Sequence, residues 1–155
     1  MRRRFARFRI IGFVVVILLI AAAASYFETT RDEPDFTVVV EKPLINIDAS
    51  SLQKGDVHFF VYKERSGGDV RFLVARDSTG KIKVAFDACK LCYVYRKGYY
   101  ASHGNLVCRY CGNRYTLEAM EVGAASCAPI MLPFQMNGQV VTIRANDLED
   151  GQRLF

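Results

Sequence analysis

Five cysteines carry the distinctive chemistry of this 155-residue chain. Four stand as two C-x-x-C pairs, Cys89-Lys90-Leu91-Cys92 and Cys108-Arg109-Tyr110-Cys111, with fifteen residues between them, and Cys127 follows after fifteen more. A C-x-x-C turn points both thiols to one side, so two such knuckles facing each other offer four soft ligands in a tetrahedral arrangement. Gly112, directly after Cys111, permits the left-handed backbone that closes a knuckle tightly. Cys127 is either a further ligand in contact with the centre or a buried thiol packing as a small hydrophobe. The first reading is favoured because an unpaired thiol in an exported domain is a liability.

Spacing leaves the nature of the centre open between iron-sulfur and zinc. A structural zinc ribbon fits C-x-x-C, fifteen residues, C-x-x-C as well as an iron-sulfur site does. Disulfides are the default for an exported domain, but five is an odd number and two residues between thiols suits metal or redox work better than stapling. A thiol-disulfide redox protein is the third alternative, weakened because neither pair opens a helix in a βαβ context. The only histidines are His58, mid-strand, and His103, in a turn between the knuckles and the better placed for a partner contact or an iron ligand. Lys90, Arg96, Lys97, Arg109 and Arg114 surround the pairs, either as a solvated rim or as charges offsetting thiolates or receiving an acidic partner. Tyr93, Tyr95, Tyr99, Tyr100, Tyr110 and Tyr115 crowd the same segment, mostly as packing, with one or two able to donate a hydrogen bond to a cluster sulfur. No Ser-His-Asp set, phosphate loop or paired carboxylate site is recognisable, so an electron carrier is expected rather than an enzyme.

The elements that must position the thiols read as strands. Runs rich in Val, Ile, Phe and Tyr at Phe36 to Val40, Asp56 to Lys63, Val70 to Arg76, Lys81 to Phe86 and Gln139 to Arg144 are separated by turn residues. Asp77-Ser78-Thr79-Gly80 joins a hairpin, and Ser66-Gly67-Gly68-Asp69 makes the turn before it. Asp147 to Leu154 reads as a short terminal helix capped by Asn146 or Asp147. The expected fold is mainly β: one small antiparallel domain bearing two metal knuckles, Rieske-like or zinc-ribbon-like, behind an N-terminal transmembrane helix.

That helix is expected over Ile10 to Phe27, 18 residues without a charge, which span roughly 27 Å and match the bilayer core. Of 21 basic residues against 16 acidic, the five before Ile10 carry the whole net charge of +5. The remainder is balanced, which argues against a nucleic-acid surface. The arginines before the apolar run and the acidic Glu28, Asp32, Glu33 and Asp35 after it place the domain on the extracytoplasmic side of the cytoplasmic membrane, anchored by a single pass. A cleaved signal peptide is the alternative, with Ala21 to Ser25 as the cleavage region, and Arg2-Arg3-Arg4-Phe5-Ala6-Arg7 loosely fits a twin-arginine signal. The expected organisation is 1–27, arginine-rich tail and anchor; 28–43, tether and first strand; 44–155, metal-binding domain.

From Cys89 to Ile143 the chain resembles the Rieske pattern: two ligand loops, Gly112, the strand start Tyr115-Thr116-Leu117, Pro129 and the closing Val140-Val141-Thr142-Ile143. It departs in having cysteine at all four places and two residues inside both pairs, so histidine-ligated chemistry does not carry over. Four thiolates in place of two thiolates and two imidazoles would favour the oxidised state, nearer roughly −400 mV than about −150 to +300 mV for a two-iron centre. From Leu44 onward, Val84-Ala85, Phe86-Asp87-Ala88-Cys89, Cys92-Tyr93, Gly98-Tyr99, Val107-Cys108, Cys111-Gly112 and Cys127-Ala128-Pro129 resemble the FtrD-like family of membrane iron-sulfur proteins. The resemblance implies a membrane-bound iron-sulfur protein moving electrons beside an iron permease and redox partners of a bacterial iron-uptake system. Ala125-Ser126 and Ala128 depart from the family's usual two glycines and Asn around the last cysteine.

Overall fold

The computed structural model describes residues 15–20, 22, 34–40, 42–64, 67–121 and 127–155. The chain divides into two units, Met1–Glu33 and Pro34–Phe155. In the first, residues 15–20 and 22 are helical. No helix among the described residues is long and apolar enough to cross a membrane. The remainder of the expected span, the arginine-rich start and most of the tether lie outside the described residues.

The second unit is mainly β, and the eleven strands among its described residues form three sheets. In chain order they are β1 (Phe36–Val40), β2 (Leu44–Asp48), β3 (Val57–Lys63), β4 (Val70–Arg76), β5 (Ile82–Cys89), β6 (Tyr99–Ser102), β7 (Asn105–Cys108), β8 (Arg114–Thr116), β9 (Pro129–Met131), β10 (Gln135–Asn137) and β11 (Val140–Arg144). The central sheet runs β1-β3-β4-β5-β9, a second runs β10-β11-β2 and a third β6-β7-β8. Hydrophobic pattern explains the placement. In β2 every second residue is buried, as expected of a strand with one face on a core. In β4 and β5 the buried residues run almost continuously, because both faces of the central sheet are covered.

Two hydrophobic clusters follow from that layering. Phe60, Tyr62, Phe72, Val74, Val84, Phe86 and Ala88 join Ile45, Ile47, Val141, Ile143 and Leu148 in one. Phe59, Leu73, Ala75, Ala85 and Cys89 join Tyr99, Leu106, Cys108, Tyr115, Leu117, Met120 and Cys127 in the other. Odd-numbered and even-numbered residues of β5 thus separate, sending Phe86 and Ala88 to the first and Ala85 and Cys89 to the second.

Three expectations need correction. The sheet system is not wholly antiparallel: β1 pairs with β3 in parallel, Phe36 opposite Phe59 through Val40 opposite Lys63. The chain passes through β2, in another sheet, between these two strands, and so can return in the same direction. The strand expected over Lys81 to Phe86 continues to Cys89, so the first thiol is delivered by the central sheet itself. The terminal helix is α1 (Ala145–Glu149) followed by a 3-10 turn, Gln152–Leu154. Asn146 and Asp147 lie inside it rather than capping it, and Asp147 accepts both Nε and Nη2 of Arg144, at 2.8 and 2.9 Å. The break falls at Gly151, where any side chain would collide with the Phe86 ring.

Candidate metal centre

Three loops at one end of the second cluster bring the thiols together. The first knuckle leaves the end of β5, where pairing with β9 shifts register between Ala85 and Cys89. Bulges of this kind re-aim side chains beside functional sites. Here Lys90 N–H donates to Ala128 C=O at 3.1 Å, and Cys92 N–H donates to Cys89 Sγ at 2.8 Å. A 3-10 turn, Cys92–Tyr95, then ends on Arg96 in the left-handed region, φ 53°. The second knuckle is the turn between β7 and β8: Gly112 N–H donates to Cys108 C=O and Cys108 N–H to Asn113 C=O, both at 2.9 Å. Gly112 has φ +73°, the conformation for which glycine is suited. Cys127 enters just ahead of β9.

Cys127 Sγ lies 3.4 Å from Cys92 Sγ and 3.2 Å from Cys111 Sγ, so the fifth thiol sits between the two knuckles. Two groups of three, Cys89 with Cys92 and Cys127, and Cys92 with Cys108 and Cys111, have their sulfurs within 4.8 Å of one another. All five are free thiols. Cys89, Cys108 and Cys127 are buried, Cys92 half-buried and Cys111 exposed, which gives the centre one side on solvent. No histidine or carboxylate enters either group. His58 is exposed, and His103 is in the turn joining Ser102 to Asn105, at the opposite end of the β6-β7 pair from Tyr99 and Cys108.

The thiols perturb one another. Burial, then contact with Cys127, Cys89 and Cys111, pushes Cys92 strongly up, and burial also raises Cys108. Cys127 is raised by its contact with Cys111 and by burial. Cys111 goes the other way: burial raises it, but the Asn113 N–H and the thiols of Cys127, Cys108 and Cys92 outweigh that and lower it. A cation that takes the thiolates removes this mutual penalty, because metal binding replaces the protons.

The surroundings are built around the sulfurs. Tyr99 is fully buried and its hydroxyl donates to Cys127 C=O at 2.7 Å, tying β6 to the Cys127 loop. Tyr115 is buried beside Cys127 and Cys111, and its hydroxyl has no hydrogen-bond partner among the described residues. Asp87, two residues before Cys89, is buried. Its Oδ1 accepts the Tyr99 N–H at 2.6 Å and its Oδ2 lies 3.8 Å from Arg71 Nε. Burial pushes its carboxyl up to about 7 against the opposing pull of Arg71, Tyr99 N–H and Arg109. Arg109 is turned inward, its Nε on Tyr99 C=O at 3.0 Å, whereas Lys90, Arg96, Lys97 and Arg114 are exposed. Asp87 and the inward Arg109 were not expected from the sequence. Asp87 stood out only as an acid in an apolar strand within Phe86-Asp87-Ala88-Cys89, and Arg109 only as a base inside the second knuckle.

The donor set fits a thiolate-bound metal centre. Among the described residues nothing but soft sulfur converges, a backbone N–H already donates to Cys89 Sγ, and an unpartnered buried hydroxyl stands beside the sulfurs. A single tetrahedral zinc, with Zn–S about 2.3 Å and hence sulfurs about 3.8 Å apart, needs four thiolates. Five are gathered here. Comparison with curated proteins and with solved structures gives no match. The family described as membrane iron-sulfur containing protein FtrD-like matches residues 52–155, which takes in all three sheets except β1 and β2 and all five cysteines. With two thirds of its length matched, the chain belongs to the FtrD-like family of membrane iron-sulfur proteins.

Proposed function

We propose that this protein is a membrane-anchored iron-sulfur electron carrier serving an iron-uptake system, with its centre held by Cys89, Cys92, Cys108, Cys111 and Cys127 or four of these. The observation that carries the reading is the convergence of five free thiols from three loops, with Cys127 Sγ 3.2 and 3.4 Å from a sulfur of each knuckle, in a chain of an iron-sulfur family. A bound cluster takes up and releases single electrons. The chain's own residues do the rest: β5 and the β7-β8 turn hold the thiols, Tyr99 fixes the Cys127 loop, and the buried Leu106, Leu117 and Met120 keep water from the inner side. The pocket lined by Cys89, Cys92 and Cys108 holds only about 10 Å³, less than an organic substrate needs.

The reading includes a single-pass anchor within 1–27, a tether with the first strand over 28–43, and the metal domain of 44–155 outside the cytoplasm. The arginines ahead of Ile10 and the acids after Phe27 support that orientation. An iron permease and redox proteins of the same system are the proposed neighbours. Anaerobic purification of the full-length protein followed by iron and acid-labile sulfide analysis and a visible spectrum tests the centre. Iron with stoichiometric sulfide and colour is expected, and stoichiometric zinc without sulfide refutes it.

A further inference from the structure

The knuckles of the cysteine cluster carry exposed apolar side chains, and every charge in the segment that holds both knuckles is positive. Leu91 and Val94 are 58% and 61% exposed, and Tyr95 and Tyr110 50% and 49%. One exposed hydrophobe is ordinary, but these four all stand on or beside the two knuckles, next to the exposed Cys111. Tyr95 follows the first knuckle and Tyr110 lies within the second. Their rings stack at 3.6 Å and 8°, making one flat surface out of both.

The charge on the segment that carries this surface is one-sided. From Ala88 to Leu117 the chain has no Asp or Glu, while Lys90, Arg96, Lys97, Arg109 and Arg114 all fall within that stretch. With Arg109 turned inward, four exposed cations remain, and none of them is in an ion pair among the described residues. The nearest acids in sequence are occupied. Asp87 is buried against Arg71, and Glu118 accepts the Ser78 N–H at 2.9 Å.

An apolar centre within a charged rim is the anatomy of a protein interface, and a rim of one sign steers a partner of the other. We propose that this patch is the docking surface for an acidic redox protein that exchanges one electron with the centre. The inference rests on the carrier reading above. One redox group loses an electron, the other gains it, and no bond forms.

The test uses full-length protein in nanodiscs, chemically reduced, mixed in a stopped-flow instrument with oxidised flavodoxin as an acidic probe or ferricytochrome c as a basic one. The rate with flavodoxin should fall about tenfold or more from low to high ionic strength, and that with cytochrome c should rise. The combined variant Lys90→Glu, Lys97→Glu, Arg114→Glu should reverse both trends with an unchanged visible spectrum, while Lys54→Glu, elsewhere on the domain, should change neither. Arg96 is left in place because of its left-handed backbone. Leu91→Ser with Val94→Ser should slow the flavodoxin reaction and leave its salt dependence intact. The proposal is overturned if both probes share one salt trend or if the triple variant changes nothing. It is also overturned if nanodiscs of anionic lipid block the wild-type reaction with flavodoxin but not that of the triple variant, since a membrane surface then occupies the patch. Absence of iron and sulfide overturns the carrier reading itself, and the electron partner with it.

Discussion

On one face of the central sheet Phe72, Val74, Val84 and Phe86 meet Ile47, Val141, Ile143 and Leu148, all side chains whose burial is favourable by itself. On the other face Leu73, Ala85 and Cys89 meet Leu106, Tyr99, Cys108 and Cys127, and small thiols stand where large hydrophobes would. The strands that close this second face have four, four and three residues, and such a sheet is marginal without further support. The first face is built of side chains whose burial stabilises the fold by itself, whereas the second, on the proposed reading, draws on its metal centre. Burial and mutual contact raise Cys92, Cys108 and Cys127, so a metal that takes up their thiolates displaces their protons.

The largest expected effect comes from stripping the metal. Chelation, or Cys108→Ser, should abolish amide-exchange protection in β6 to β8 while β3, β4 and the first half of β5 remain protected, read by hydrogen exchange with mass spectrometry. Uniform loss across all three sheets would show one cooperative unit and dissolve the distinction between the faces.

Phe72→Ala comes next. Phe72 is fully buried and stacks on Phe60 with centroids 5.2 Å apart. Its truncation should cost about 3–5 kcal/mol in denaturant unfolding, with the absorbance of the loaded centre retained under native conditions. Loss of the spectrum without loss of stability would reverse the roles assigned to the two faces.

Gly98→Ala probes the seam between the faces. Gly98 has φ +69°, and a methyl group there would run into the Asp87 carboxylate that holds Tyr99 N–H. A loss of about 2 kcal/mol is expected, and with it a changed spectrum, because Tyr99 anchors the Cys127 loop. A stability loss with an unchanged spectrum would separate that anchor from the centre.

The smallest effect belongs to Glu118, which ties the cysteine layer to the β4-β5 turn. The Ser78 hydroxyl and N–H hold its carboxyl at about 2. A depressed folded-state value means that the contribution to stability is present above the usual carboxylate range and vanishes as pH falls through about 2. Glu118→Gln should therefore melt slightly below wild type at neutral pH, and the two melting temperatures should converge in acid. A constant gap would mean that packing rather than charge links the layers.

Much of this was readable beforehand. The runs at 36–40, 57–63, 70–76 and 140–144 are strands because β-branched and aromatic residues cluster between turn residues, and Asp77 to Gly80 is the hairpin turn it resembles. The short strands β6, β7, β9 and β10 were not, since three or four residues carry too little pattern to separate a strand from a loop. Parallel pairing of β1 with β3 was invisible because it depends on β2 leaving for another sheet.

The site divides in the same way. Residue type and spacing by themselves determined that soft sulfur is the chemistry and that each C-x-x-C is a knuckle, since a local turn decides where two thiols so close in sequence point. Only the tertiary structure decided that Cys127 stands between the knuckles, that Tyr99 and Asp87 brace them, that Arg109 turns inward and that His103 stands apart. These relations join residues far apart in sequence, several of them across different sheets, and the packing of the sheets, not any local preference, sets the distances between them.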